Sequence, residues 1–128
     1  IFNMITGIDN ITGKIYRLYN ASFGRFPDKD GLTYWIKKNE SGVDNYRDIA
    51  KSFAISDEFR NLYGVTSNNK EYINGLYTNV LNRIPDEEGF NYWENQLSRG
   101  FEDRSELLMG FSESLENKSI FSNETNLF

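Results

Sequence analysis

Apolar residues along this chain recur with a helical period and nowhere alternate over five or more positions, so the pattern predicts an all-α protein. From about Ile11, the residues Ile11, Ile15, Leu18, Ser22 and Phe23 fall on one face, with Tyr19 beside them. Gly24 suits the left-handed cap of that helix, and Pro27 cannot continue it. Asp28 has the chemistry of the next N-cap, and Leu32, Trp35 and Ile36 supply a buried stripe before Gly42. Asp44 or Asn45 opens a third helix whose Tyr46, Ile49, Ala50 and Phe53 share a face. Ser56-Asp57-Glu58-Phe59 is a further start signal, for a short helix ending at Gly64. The stretch from Val65 to Asn69 is polar and turn-like.

The second half replays this order. Tyr72, Leu76, Val80 and Leu81, flanked by Ile73 and Tyr77, predict a helix, and Asp86 caps the next one, which runs through Tyr92, Trp93 and Leu97 to Gly100. Asp103 and Glu106 have the spacing of a capping box ahead of Leu107, Leu108 and Phe111. The expected architecture is therefore one domain over 1–128, a helical bundle of two helical repeats related by a pseudo-twofold. Repeat one covers 11–64 and repeat two 70–118, with 1–10 and 119–128 as flanking segments, the latter polar and linker-like. A single copy of about 58 residues would be marginal alone, so the two are expected to share one aromatic core.

The repetition is plainest in one motif. Gly24-Arg25-Phe26-Pro27-Asp28-Lys29-Asp30-Gly31-Leu32-Thr33-Tyr34-Trp35 returns as Asn82-Arg83-Ile84-Pro85-Asp86-Glu87-Glu88-Gly89-Phe90-Asn91-Tyr92-Trp93, at a constant offset of 58 (85 − 27 and 93 − 35). The chain has two prolines and two tryptophans, and each copy holds one of each. The spacing describes a helix-to-helix corner. Proline stops one helix, aspartate satisfies the free N–H groups of the next, and glycine lets another helix approach. Arg25 and Arg83 are placed to reach the corner aspartates or the last carbonyls of the preceding helix.

Composition narrows the function classes. Hydrophobic residues make up 38% of the chain and aromatics 16%, which points to a core built on rings rather than aliphatics. The net charge is −5 and no Lys/Arg block is present, which argues against duplex nucleic acid and anionic membranes as partners. With no cysteine and no histidine, disulfides, thiolate nucleophiles and Cys/His zinc sites are excluded. No apolar run is long enough to span a membrane, and the chain reads as a piece of something longer.

Neighbouring helix positions point about 100° apart, so Tyr34 and Trp35 cannot both face the core, nor can Tyr92 and Trp93. One ring of each pair is a candidate stacking platform for a sugar, with Arg25 and Arg83 as polar neighbours; the competing reading is a packed ring with a wet hydroxyl. Asp28, Asp30, Asp86 and Glu88 are hard oxygen ligands and weak calcium candidates, but their spacing departs from an EF-hand loop, whose sixth position is glycine and whose twelfth is glutamate. No catalytic residue is assigned: no nucleophile elbow, phosphate loop or dinucleotide fingerprint is present.

The run from Tyr19 to Trp35, then Gly42, then Phe53-Ala54-Ile55-Ser56-Asp57-Glu58-Phe59, resembles the bacterial domain-of-unknown-function family numbered 4214. The resemblance spans about Lys14 to Lys118 in two copies. The second copy departs from it at Asn82, in place of glycine, and at Asn117, in place of the closing phenylalanine, which weakens the expectation of a last short helix. The resemblance implies a non-enzymatic module of a larger secreted or cell-surface bacterial protein. Such a module would bind a glycan or a neighbouring protein, without a cofactor, calcium remaining open. The alternatives are a purely structural spacer and, last, an acid/base enzyme acting on polysaccharide.

Overall fold

The computed structural model of the protein describes residues 10–125, and every regular element among them is helical. The order is α1 (Ile11–Phe23), α2 (Lys29–Glu40), α3 (Tyr46–Ala54), α4 (Asp57–Tyr63), α5 (Asn69–Leu81), α6 (Glu87–Ser98), α7 (Arg104–Ser112) and α8 (Leu115–Thr125). The expected all-α class is therefore found. The segment expected to flank the N-terminus lies outside the described residues, apart from Asn10, which caps α1 by accepting from the Gly13 N–H.

Side-chain caps explain where the helices begin. Asp28 accepts from Gly31 N, Asn45 from Asp48 N, Ser56 from Phe59 N, Asn68 from Glu71 N, Asp86 from Gly89 N and Asp103 from Glu106 N. Each removes a free donor from the first turn, an effect worth about 1 kcal/mol per cap. Between the candidate starts of α3, Asn45 is the one used, reinforced by Asp48 reaching back to its N–H at 3.0 Å.

The core is one cluster centred on α1. Ile15, Leu18, Ile49, Phe53, Ile73, Leu76, Leu107, Leu108 and Phe111 are all buried in it. Helix α1 packs on α2, α3, α4, α5 and α7, and is buried on nearly all sides rather than on one stripe. Rings carry much of the packing: Phe53 meets Tyr19 edge-on at 5.6 Å and Trp35 at 4.9 Å, and Phe111 meets Tyr77 at 4.9 Å and Trp93 at 5.2 Å.

Within each half the packing is alike. Helix α1 contacts α2, α3 and α4 as α5 contacts α6, α7 and α8. Between the halves it differs. A twofold would require that α3 pack on α5 as α1 packs on α7, and no packing of that extent joins α3 and α5. The side chains explain the difference. Arg17 of α1 is 0% exposed, and its Nε and Nη2 donate to both carboxylate oxygens of Glu113, each at 2.7 Å. The residues 58 positions away from this pair are Gly75 and Ile55. Gly75 receives the Tyr63 ring instead, and Ile55 is 73% exposed. The ion pair is made once, and it draws α1 alone onto the α7 end.

Two further expectations need correction. The segment from Ser119 is not a linker but continues α8 to Thr125, and Phe121 is buried edge-on against Tyr16 at 5.2 Å. The last short helix does form, because Ser114 Oγ accepts from Asn117 N at 3.1 Å, as Ser56 does from Phe59 N at 3.2 Å. No buried residue lies on α6, so its aromatic stripe only leans on the core, whereas α2 buries Leu32 and Ile36.

Truncation of a buried pair leaves an uncompensated charge, so Glu113→Ala is expected to cost about 3 kcal/mol in chemical denaturation. Ile55→Ala is expected to stay within about 0.5 kcal/mol of the parent, and Arg17→Met with Glu113→Leu to recover most of the loss.

Candidate functional site

The two corners place their side chains alike. At the first, Gly24 closes α1 with φ +69°, and at the second Asn82 closes α5 with φ +57°, a left-handed conformation that asparagine tolerates better than most non-glycine residues. Asp28 and Asp86 are held by the Gly31 and Gly89 N–H groups at 2.6 and 2.9 Å. The glycines also sit beneath a ring from the preceding helix. A Cβ at Gly89 would fall 2.5 Å from the Tyr77 hydroxyl, and one at Gly31 would stand 4.0 Å from that of Tyr19.

Arg25 and Arg83 take partners that local spacing did not indicate. Arg25 donates to both oxygens of Glu58, at 2.7 and 3.0 Å, and Arg83 to both oxygens of Glu116, at 2.8 and 3.0 Å. Each guanidinium also lies over a tyrosine, Tyr19 at 5.0 Å and Tyr77 at 5.1 Å. A corner is thereby tied to the first turn of the fourth helix of its own half. The hydrogen bonds from Arg25 hold the Glu58 carboxyl below its usual range, and those from Arg83 do the same for Glu116.

The adjacent aromatic pairs are divided as helix geometry requires. Trp35 and Trp93 are half-buried against Phe53 and Phe111. Tyr34 and Tyr92 are 52% and 55% exposed, each held edge-on by its tryptophan at 5.0 and 4.9 Å. Around the second corner, Tyr77, Arg83, Asp86, Glu88, Gly89 and Tyr92 line an open groove of about 470 Å³. Asp86 Oδ2 and the Glu88 carboxylate form no hydrogen bond among the described residues, so the groove offers an aromatic wall and free acceptors. The same four acids considered for calcium are dispersed along the two corners, and no group of three or more metal-ligating acids occurs among the described residues.

The family model for the domain of unknown function DUF4214 matches residues 50–121, more than half of the chain. The chain belongs to this family. The DUF4214 match runs from α3 into α8 and contains the second corner, while the first corner precedes it. No curated protein and no solved structure matches the chain. No helix among the described residues is long and apolar enough to cross a membrane.

The Arg–Glu ties carry a pH dependence. A carboxyl whose folded pKa lies below its unfolded value contributes stability that is complete above the unfolded pKa and is lost as pH falls through the folded one. Arg25→Gln with Arg83→Gln is therefore expected to be less stable than the parent at neutral pH, with the gap closing once Glu58 and Glu116 are protonated. Denaturant midpoints measured from pH 7 down to pH 2.5 check this.

Proposed function

We propose that this DUF4214 protein is a non-catalytic interaction module, built from two copies of one four-helix unit, that binds glycan through the tyrosine faces at its Pro-Asp corners. The observation that carries the reading is the pair Tyr34 and Tyr92: identical rings, 58 positions apart, each more than half exposed on a helix that buries the neighbouring tryptophan only in part. An exposed ring backed by a second ring at right angles is rigid, so little side-chain entropy is lost when a sugar stacks on it.

The polar half of the contact falls to acceptors rather than to arginine. Arg83 is committed to Glu116 and to the Ile84 carbonyl at 3.2 Å, which leaves Asp86 Oδ2 and Glu88 facing the groove with lone pairs to accept sugar hydroxyls. The two-copy reading rests on the matching helix lengths of the first three elements (13, 12 and 9 residues in each half), the matching Arg-x-Pro-Asp-x-x-Gly-x-x-Tyr-Trp spacing of the corners and the paired Arg–Glu ties. The packing between the copies is not that of an exact twofold, since α1 packs on α7 with no contact of that extent between α3 and α5. Placement in a larger bacterial secreted or surface protein follows the expectation drawn from the resemblance, in which such a module would attach its host to a carbohydrate.

Because both rings are exposed, Tyr34→Ala with Tyr92→Ala is expected to leave stability within about 0.5 kcal/mol of the parent. Binding of the chain to immobilised polysaccharides on a glycan array is expected to fall at least tenfold in that variant and about twofold in either single one. A blank array for the parent protein, or unchanged binding by the double variant, would remove the platform and leave a structural spacer as the reading.

A further inference from the structure

A second polar cavity lies away from the corner groove, between the ends of α1, α5 and α8. It has a volume of about 170 Å³, and its polar lining is Asn20, Asn79, Asn82, Asn117 and Glu124. Three of these replace apolar or minimal residues of the first half. Fifty-eight positions earlier stand Ala21 for Asn79, Gly24 for Asn82 and Phe59 for Asn117. Two of the replacements are unfavourable for folding on their own. Asn82 takes a left-handed φ of +57° where glycine is unstrained, and Asn117 is 5% exposed where Phe59 gives a buried ring stacked on Tyr63 at 4.5 Å. All three replacements converge on one cavity.

One carboxamide is oriented by its own hydrogen bond. Asn117 Nδ2 donates to the Ser112 carbonyl at 2.7 Å, and no hydrogen bond to its Oδ1 is made among the described residues. Asn79 lines the same cavity beside the Tyr63 hydroxyl, which donates to the Ala21 carbonyl at 2.7 Å. In Asn117 the N–H end is occupied and the oxygen is left for the cavity that the residue lines. Gly24 and Asn82, the C-caps of α1 and α5, also line it, which brings two helix C-termini to its wall. Each C-terminus counts for about half a negative charge. With the Glu124 carboxylate, the cavity wall carries a negative potential and a set of neutral oxygens.

We propose that this cavity is a calcium site. Calcium takes six to eight hard oxygen ligands in flexible geometry, including amide and backbone carbonyls and water, whereas magnesium demands a tight octahedron. One carboxylate and several carboxamides place the affinity in the weak range, a Kd of about 0.1–1 mM. This site is separate from the corner acids Asp28, Asp30, Asp86 and Glu88, and it stands or falls independently of glycan binding.

Thermal unfolding with 0–10 mM calcium chloride, at constant ionic strength, tests it. The parent Tm is expected to rise by roughly 5–10 °C at 10 mM, since a ligand that binds only the folded state stabilises it by mass action. Glu124→Gln is expected to keep the calcium-free Tm and lose the rise. Asn82→Gly with Asn117→Phe, which restores the residues of the first half, is expected to raise the calcium-free Tm and abolish the response, so loss of binding is not confused with loss of folding. Asp28→Asn with Asp86→Asn, which preserves the caps, is expected to respond like the parent. The proposal is overturned by a parent Tm that does not respond, by an equal response to magnesium chloride, by a response that survives Glu124→Gln, or by one abolished in the corner variant.

Discussion

The constraint on which the arrangement of this fold depends is the burial of one guanidinium. Arg17 sits on the most enclosed helix of the molecule with no exposed surface, and a charge in that position is tolerable only with a partner of good geometry. Glu113 supplies it with two parallel bonds from the end of α7. The pair sets the position of α1 against α7. Its influence spreads to neighbours: Tyr46, half-buried beside it, has its hydroxyl pushed up by desolvation and then by the Glu113 charge, and the Arg17 guanidinium lies 5.8 Å from the Phe121 ring. Apolar packing, of aliphatic side chains and rings together, is non-directional, and a directional contact is what distinguishes one docking of two similar units from another.

Around that contact the chain uses the same local chemistry twice. The corner arginine binds the glutamate of the Ser-x-Glu start and covers a tyrosine of the first helix, so a single side chain ties the corner to the first and fourth helices of its half. These surface pairs are individually weak. Their role is to hold the corner in shape, and a corner held in shape keeps Tyr34 and Tyr92 in fixed orientation at the surface. The cation–π partners at the α1–α3 and α5–α7 contacts exchange roles between the halves. Lys14 of α1 lies over Tyr46 of α3, whereas Arg104 of α7 lies over Tyr72 of α5. The same geometric need is met by reversing which helix supplies the charge.

Where the halves diverge, function has room. Asn117 in place of a core phenylalanine and Asn82 in place of a cap glycine are costly residues, and both face the cavity between α1, α5 and α8. The exposed tyrosines lie on the shared part of the motif and Asn82 and Asn117 on the divergent part, so the two proposed sites fall on different residues of the pattern.

Much of this was legible in the residues. Helical periodicity, the Pro-Asp corners, the caps at Asp28, Ser56, Asp86 and Asp103, a cap at either Asp44 or Asn45, and the division of each Tyr-Trp pair into an outer and an inner ring are consequences of backbone geometry acting over a few positions. Such rules need no knowledge of distant contacts. Three features were not legible. Nothing near Arg17 in the sequence marks it as buried, since its partner Glu113 lies 96 positions away. The segment after Lys118 reads as polar linker until Phe121 finds Tyr16. The partners of Arg25 and Arg83 lie 33 positions on, beyond the reach of any spacing rule. Local order was determined by the sequence itself, because caps, turns and amphipathic faces are short-range. The docking of the halves, the burial of a charge and the closing of the asparagine cavity were decided by tertiary structure alone, because each depends on which distant groups come to share space away from water.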